Sequence, residues 1–431
     1  MYEIYAHANH ASNGLSAKEL AKLPYFWLRY MLAQGPATSN RRTSYDVCFV
    51  VDQTGPGGLS SFLPLLRHKP TGTSVLVLTR DFIAGNSEFK AAIHSMPDVD
   101  VLNMDRFFVG PLSPFQQLAE YLSVARLAKR AWSTAPQFLL RKAIYERVFL
   151  WIRNHVRLAI TVVISERLLL AATVIQECRL AGLATAALQH GAFVPQHLPV
   201  YVDTYLVWGE RFAKWLRDHG VRSEISLTGS PRLDDTVIHK HHKPYSEVRK
   251  PVFLFFSQPP GVSTSSAIME KVRREAVKAV SVRGIDFRIK LHPVDRSENW
   301  ADALGENWSA VRFYGPETDL AQVMSEADIA CSFYSTVILE AMLFNIPVFQ
   351  LVPEGAEVVD YSIGGGATRV ATGEGLVAGV HKLLQDTDHM RQVIADQNRY
   401  VAEYFVNVGR AAPAIYAALA RATPTNAPPA S

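Results

Sequence analysis

Several imidazoles, carboxylates and hydroxyls follow short apolar runs, where they can hold a phosphate or move a proton. Lys290-Leu291-His292-Pro293 closes one such run. Ligands of open α/β sheets bind at the carboxyl ends of strands, so His292 stands where it can donate to a phosphate oxygen. The competing role is local: His292 satisfies a loop carbonyl and Pro293 ends the strand. Further on, Ile329–Ser332 runs into Tyr334-Ser335-Thr336 and then a helical pattern containing Glu340-Ala341-Met342-Leu343. Amides at a helix start carry partial positive charge, and the Ser335 and Thr336 hydroxyls add donors, so a phosphate fits there. Plain N-capping by Ser335 is the alternative. Glu340, one turn on, can accept from ribose hydroxyls or be a solvated surface carboxylate.

The first half has its own polar strand ends. Leu188-Gln189-His190-Gly191 sets an imidazole beside a glycine that permits close approach of a ligand. Ile164-Ser165-Glu166-Arg167 places Glu166 as a general base or as a first-turn acid favoured by the helix dipole. In Gly229-Ser230-Pro231-Arg232-Leu233-Asp234-Asp235, Asp234 is a cap, a hinge or a group facing the substrate. The loop Asp52-Gln53-Thr54-Gly55-Pro56-Gly57-Gly58 lacks the lysine and spacing of a Walker loop, which disfavours ATP hydrolysis. Asp98-Val99-Asp100 has metal-pair spacing, but Val101 and Leu102 follow it, as at a turn entering a strand. The His239–His242 run reads as a linker. No metal site and no cofactor are expected; Cys48, Cys178 and Cys331 are odd in number and share no ligand spacing, which fits a reducing compartment.

Parallel βαβ units must position these groups. Val47–Val51, 74–78, 158–165, Thr185–Leu188 and 205–208 alternate with helical periodicity, and a second set follows: Val252–Phe256, 286–291, 311–314, Ile329–Ser332 and Val348–Leu351. The expected fold class is α/β with two Rossmann-like domains facing each other across a cleft. The expected boundaries are 1–238 for an acceptor-binding domain, 239–250 for a linker, 251–421 for a nucleotide-binding domain and 422–431 for a disordered tail.

At 431 residues, 48% of them apolar and 19% charged, the chain can bury full cores, which excludes global disorder. A formal charge of +4 is too small for wholesale coating of nucleic acid. No secretory signal and no membrane span are read, so a cytoplasmic protein is expected. Between Glu120 and Arg157 the local net charge is +6, with Tyr121, Trp132, Phe138, Tyr145, Phe149 and Trp151 interleaved. That segment is an amphipathic surface for peripheral contact with anionic lipid head groups at the inner face of the cytoplasmic membrane or with an acidic acceptor, or else a solvated helical face.

The ordered set Gln189-His190-Gly191, Gly229-Ser230-Pro231-Arg232, Lys290-Leu291-His292-Pro293 and Ser335-Thr336 with Glu340-Ala341 resembles GT-B glycosyltransferases of bacterial capsule and lipopolysaccharide synthesis. The His-Pro and Ser-Thr elements are similar to the donor site of bacterial sialyltransferases and Kdo transferases. The resemblance implies a metal-independent transfer from a nucleotide-sugar donor, a CMP-linked ulosonic acid such as Kdo or sialic acid, to a glycan or glycolipid acceptor. Lys290, His292, Pro293, Ser335, Thr336 and Glu340 would hold the donor, and Glu166, His190 or Asp234 would serve catalysis. CDP-glycerol-type glycerophosphotransferases share the His-Pro and hydroxyl pattern. UDP-GlcNAc 2-epimerases share the layout around Glu166, His190, Asp234, His292 and Glu340.

Overall fold

The computed structural model describes residues 42–53, 58–105, 136–235, 250–260 and 264–423. The linker 239–249, most of the tail, the glycines at 55 and 57 and the basic segment up to residue 135 lie outside them.

Two parallel sheets organise the chain. In the first, β2 (Val47–Val51), β3 (Val75–Thr79), β4 (Val99–Asn103), β6 (Thr161–Val163), β7 (Thr185–Leu188), β8 (Thr204–Val207) and β9 (Glu224–Leu227) lie in the order β4-β3-β2-β6-β7-β8-β9. A two-residue pair, β1 (Ser44–Tyr45) with β5 (Arg157–Leu158), stands apart. The second sheet has β10 (Val252–Phe256), β11 (Asp286–Lys290), β12 (Arg312–Tyr314), β13 (Ile329–Ser332), β14 (Val348–Leu351) and β15 (Thr368–Val370), in the order β12-β11-β10-β13-β14-β15. Strand order reverses beside β2 and beside β10, so each sheet has a switch point where ligands of such folds bind. Strands such as VCFVV and VFLFF are buried at every position, as helices on both faces of a parallel sheet require.

The chain divides into two compact units: a first of residues 42–208, 212–235 and 407–423, and a second of residues 209–211 and 250–406. This corrects the expectation that 251–421 is one domain. Asn407 and Gly409, both at positive φ, turn the chain out of the helix Thr387–Ala402. The next helix, Ala411–Ala422, then buries Ala411, Ile415, Tyr416 and Leu419 in the first core against Phe49, Phe62 and Leu65. The Tyr416 hydroxyl donates to the Leu65 carbonyl at 3.0 Å. The second unit has a separate core around Phe253, Phe255, Trp300 and Phe349.

Among the described residues no helix is long and apolar enough to cross a membrane. In the helix Pro136–His155, Tyr145, Val148, Phe149 and Ile152 are buried, so Tyr145 and Phe149 are core residues, not a lipid-facing surface. Asp98 pairs with Arg42, and Asp100 accepts from the Tyr45 hydroxyl at 2.7 Å, so this pair is part of the entry to β4.

Candidate functional site

At the carboxyl edge of the second sheet, the ends of β11, β10 and β13 are tied together by polar side chains. The His292 amide donates to the Ser257 hydroxyl at 3.0 Å, and the Tyr334 amide to Gln258 Oε1 at 2.9 Å. His292, after β11, and Ser335 and Thr336, after β13, thus flank β10 at the switch point. Ser257 and Gln258 were not singled out in the sequence, although Ser-Gln-Pro-Pro after an apolar run carries the same strand-end signal as Leu-His-Pro.

His292 Nδ1 accepts from the Val294 amide at 3.3 Å, so the neutral ring carries its proton on Nε2 and presents a donor there. Burial holds its pKa below the ordinary imidazole value, with Asp295 pulling the other way, so the neutral form prevails at neutral pH. Asp295 fixes the turn: its amide donates to the His292 carbonyl at 2.9 Å. Its carboxylate, fully buried, accepts from Asn299 at 2.7 Å, from Trp300 Nε1 at 3.3 Å and from Arg273 at 3.3 Å. Pro293 is exposed beside it.

Ser335 Oγ accepts from the Val337 amide at 3.3 Å, while Thr336, at the cap of the helix Val337–Leu343, makes no side-chain capping bond. Its hydroxyl is therefore not used in starting the helix. Glu340 is buried, which removes the solvated-surface alternative. Lys290 is also buried. Its ammonium donates to the carbonyls of Gly315 at 2.6 Å, Pro316 at 3.2 Å and Leu291 at 3.4 Å, which commits its donors to holding the end of β12. By this geometry Lys290 positions the end of β12.

In the first unit, Glu166 and His190 each lie three residues beyond Val163 and Ala187, which are paired across β6 and β7. Glu166 Oε1 accepts from the Tyr201 amide at 2.7 Å and the Val202 amide at 3.1 Å. Burial nevertheless lifts its carboxyl to about 7, against the pull of those amides, Arg167 and Arg179. Burial lowers the His190 pKa, with the Ile164 backbone pulling it up and Arg232 adding a smaller push down. The His190 ring meets His197 edge-on at 5.8 Å; burial, His190 and Arg167 hold His197 at about 4. Gln189 anchors the segment, accepting from the Trp208 amide at 2.9 Å and donating to the Gly191 carbonyl at 2.9 Å. A Cβ at Gly191 would meet nothing within 4 Å, so open space adjoins the chain there.

Asp234 joins none of these groups. Its two oxygens accept from the Ala411 amide at 2.8 Å and the Ala412 amide at 2.6 Å, capping the helix Ala411–Ala422. Of the alternatives read for Asp234, the cap is the one these bonds make. Asp235 pairs with Arg67 and with His68. Among the described residues no cluster of three or more His, Cys, Asp or Glu is arranged to hold a metal, and the three cysteines are buried and unpaired.

No protein-family model and no curated protein matches the chain. Solved structures do. The Staphylococcus aureus MnaA-UDP co-structure is 12% identical with a TM-score of 0.56, covering 89% of this chain and 99% of that one. UDP-GlcNAc 2-epimerase from Neisseria meningitidis bound to UDP-GlcNAc is 13% identical at 0.57, covering 87% and 100%. Anabaena Alr3699/HepE in complex with UDP and glucose is 14% identical at 0.53, covering 88% and 100%. At such identities the likeness defines the fold: the chain is a GT-B protein with two Rossmann-like α/β units, the class expected from its sequence.

Proposed function

We propose that the protein is a glycosyltransferase whose second unit binds a nucleotide-sugar donor and whose first unit binds a glycan or glycolipid acceptor. The observation that carries this reading is the convergence of His292, Ser335 and Thr336 on the β10 switch point. A neutral imidazole with its proton on Nε2 and an uncommitted Thr336 hydroxyl suit a phosphate oxygen, and both would stabilise the charge that develops as the sugar leaves. The transfer is proposed as metal-independent, with His292, Thr336 and the start of the helix Val337–Leu343 meeting that charge.

For the donor, the His-Pro and Ser-Thr pattern favours a CMP-linked ulosonic acid. The solved structures holding UDP or UDP-GlcNAc support the broader class of nucleotide sugars and make a UDP-linked donor the comparison to run. An epimerase acting on UDP-GlcNAc is the second reading, favoured by the solved epimerases of the same fold. The two readings diverge on a single substrate. Incubation with UDP-GlcNAc, UDP-glucose or CMP-N-acetylneuraminate alone is expected to release nucleotide slowly to water from one donor, leaving the configuration of the remaining donor unchanged. Accumulation of a 2-epimer of UDP-GlcNAc, followed by NMR, would replace transfer with isomerisation.

A further inference from the structure

Arg167 lies in the turn after β6. Its guanidinium makes one hydrogen bond, to the Pro199 carbonyl at 3.2 Å, and pairs with no carboxylate among the described residues. The planar fork of an arginine carries several N–H donors, so most of them are left for a ligand or for water. His197 stands two residues before Pro199. Its Nδ1 accepts from the Val194 amide at 3.0 Å, which leaves the neutral ring's proton on Nε2, where it meets no acceptor among the described residues. Aromatic contacts fix that ring: it lies edge-on to His190 at 5.8 Å and to Phe193 at 5.9 Å, and Phe193 in turn stacks on Trp215 at 5.4 Å.

These groups are within reach of a solute. Arg167, His190 and His197 are each partly exposed, and the chain at Gly191 borders open space. Their surroundings are electropositive. Arg167 acts on both His197 and Glu166, Arg179 on Glu166 and Arg232 on His190, and such effects require the charges to be near. The carboxyl facing them, Glu166, commits Oε1 to the Tyr201 and Val202 amides, and burial keeps its proton on up to about 7. Both imidazoles stay neutral at that pH. A guanidinium without a carboxylate partner, next to an unused imidazole N–H, suits an incoming anion.

We propose that Arg167 and His197 Nε2 bind an oxyanion, a phosphate or a carboxylate, carried by the acceptor, so that the first unit takes acidic acceptors. This rests on the glycosyl-transfer reading. The Arg167 fork matches the edge of such a group with parallel N–H donors, His197 adds a single donor, and the space at Gly191 admits the sugar that carries the anion.

The test needs no nucleotide. The full chain, carrying carbon-labelled histidine, is titrated by NMR at pH 7 and constant ionic strength with glycerol 1-phosphate, methyl glucuronide and methyl glucoside. The His197 signal is assigned by its loss in His197→Gln. At least one of the two acids is expected to shift that signal saturably, and the neutral methyl glucoside to leave it in place. The tighter-binding acid identifies the anion as phosphate or carboxylate. Arg167→Gln is expected to weaken the acid by about tenfold or more while melting within about 2 °C of wild type. Arg167→Lys, which keeps the charge and loses the fork, is expected to weaken it by about threefold or more and serves if the glutamine variant does not fold. No saturable shift with either acid, an equal shift with methyl glucoside, or equal binding by wild type and the Arg167 variants overturns the proposal. The two failures are separable: a wild type that binds an acid but no nucleotide contradicts the glycosyl-transfer reading and leaves the oxyanion site standing, whereas one that binds a nucleotide but no acid overturns this proposal alone.

Discussion

Gln350→Leu is expected to lower stability by about 3 kcal/mol or more and to loosen the second unit's candidate site with it. Gln350 is fully buried on β14, and its side chain serves three backbone groups. Nε2 donates to the Phe333 carbonyl at 3.0 Å and the Val359 carbonyl at 2.7 Å, while Oε1 accepts from the Tyr361 amide at 2.9 Å. Leucine fills similar space but strands all three, and each orphaned buried group costs about 1–3 kcal/mol. Phe333 immediately precedes Tyr334-Ser335-Thr336, so the damage falls where the phosphate is proposed to bind. Urea unfolding at constant m-value measures the loss. A variant within about 0.5 kcal/mol of wild type would show that these bonds are not what holds the segment.

Glu166→Gln is expected to stabilise the protein at pH 8 and to leave it nearly unchanged at pH 4. The folded state raises this carboxyl from its ordinary value of 4.5 to about 7, so it binds the proton more tightly than the unfolded chain does. Stability from this residue is therefore lost as pH rises from about 4.5 to about 7, and the full cost is in place above that. The charges facing it are Arg167 and Arg179, with Tyr205 also close, and burial outweighs them. Glutamine can accept the Tyr201 and Val202 amides without becoming charged. The gain at pH 8 is roughly 3 kcal/mol as an upper figure, from about two and a half pKa units. Comparing variant with wild type at each pH isolates Glu166 from His190 and His197, whose lowered pKa values act in the opposite direction at acid pH. A gain equal at pH 4 and pH 8 would contradict the titration.

The sheets were legible because their strands are buried on both faces and read as unbroken apolar runs; β2, β7, β10, β13 and β14 match the expected bounds residue for residue. Among the strands outside the expected runs, β9 and β15 lie at sheet edges and are largely exposed, so no apolar run marks them. The placement of His292, Ser335, Thr336, Glu166 and His190 at strand ends was equally legible, since position after a run is a local property. What each side chain bonds is not local. Asp234 caps a helix 177 positions further along the chain, and Lys290 bonds carbonyls that only the pairing of β11 with β12 brings near. The helix Ala411–Ala422 was assigned to the wrong unit because its pattern specifies an apolar face and says nothing of which core receives it.

Calorimetric titration of CMP, CDP, UMP, UDP and GDP into wild type, His292→Ala and Thr336→Val tests most directly whether the second unit's strand ends form a nucleotide site. At least one nucleotide is expected to bind wild type, and each substitution to weaken it by about tenfold or more, near 1.4 kcal/mol, without lowering the melting temperature of the free protein. Binding of no nucleotide, or equal binding by all three proteins, would contradict it.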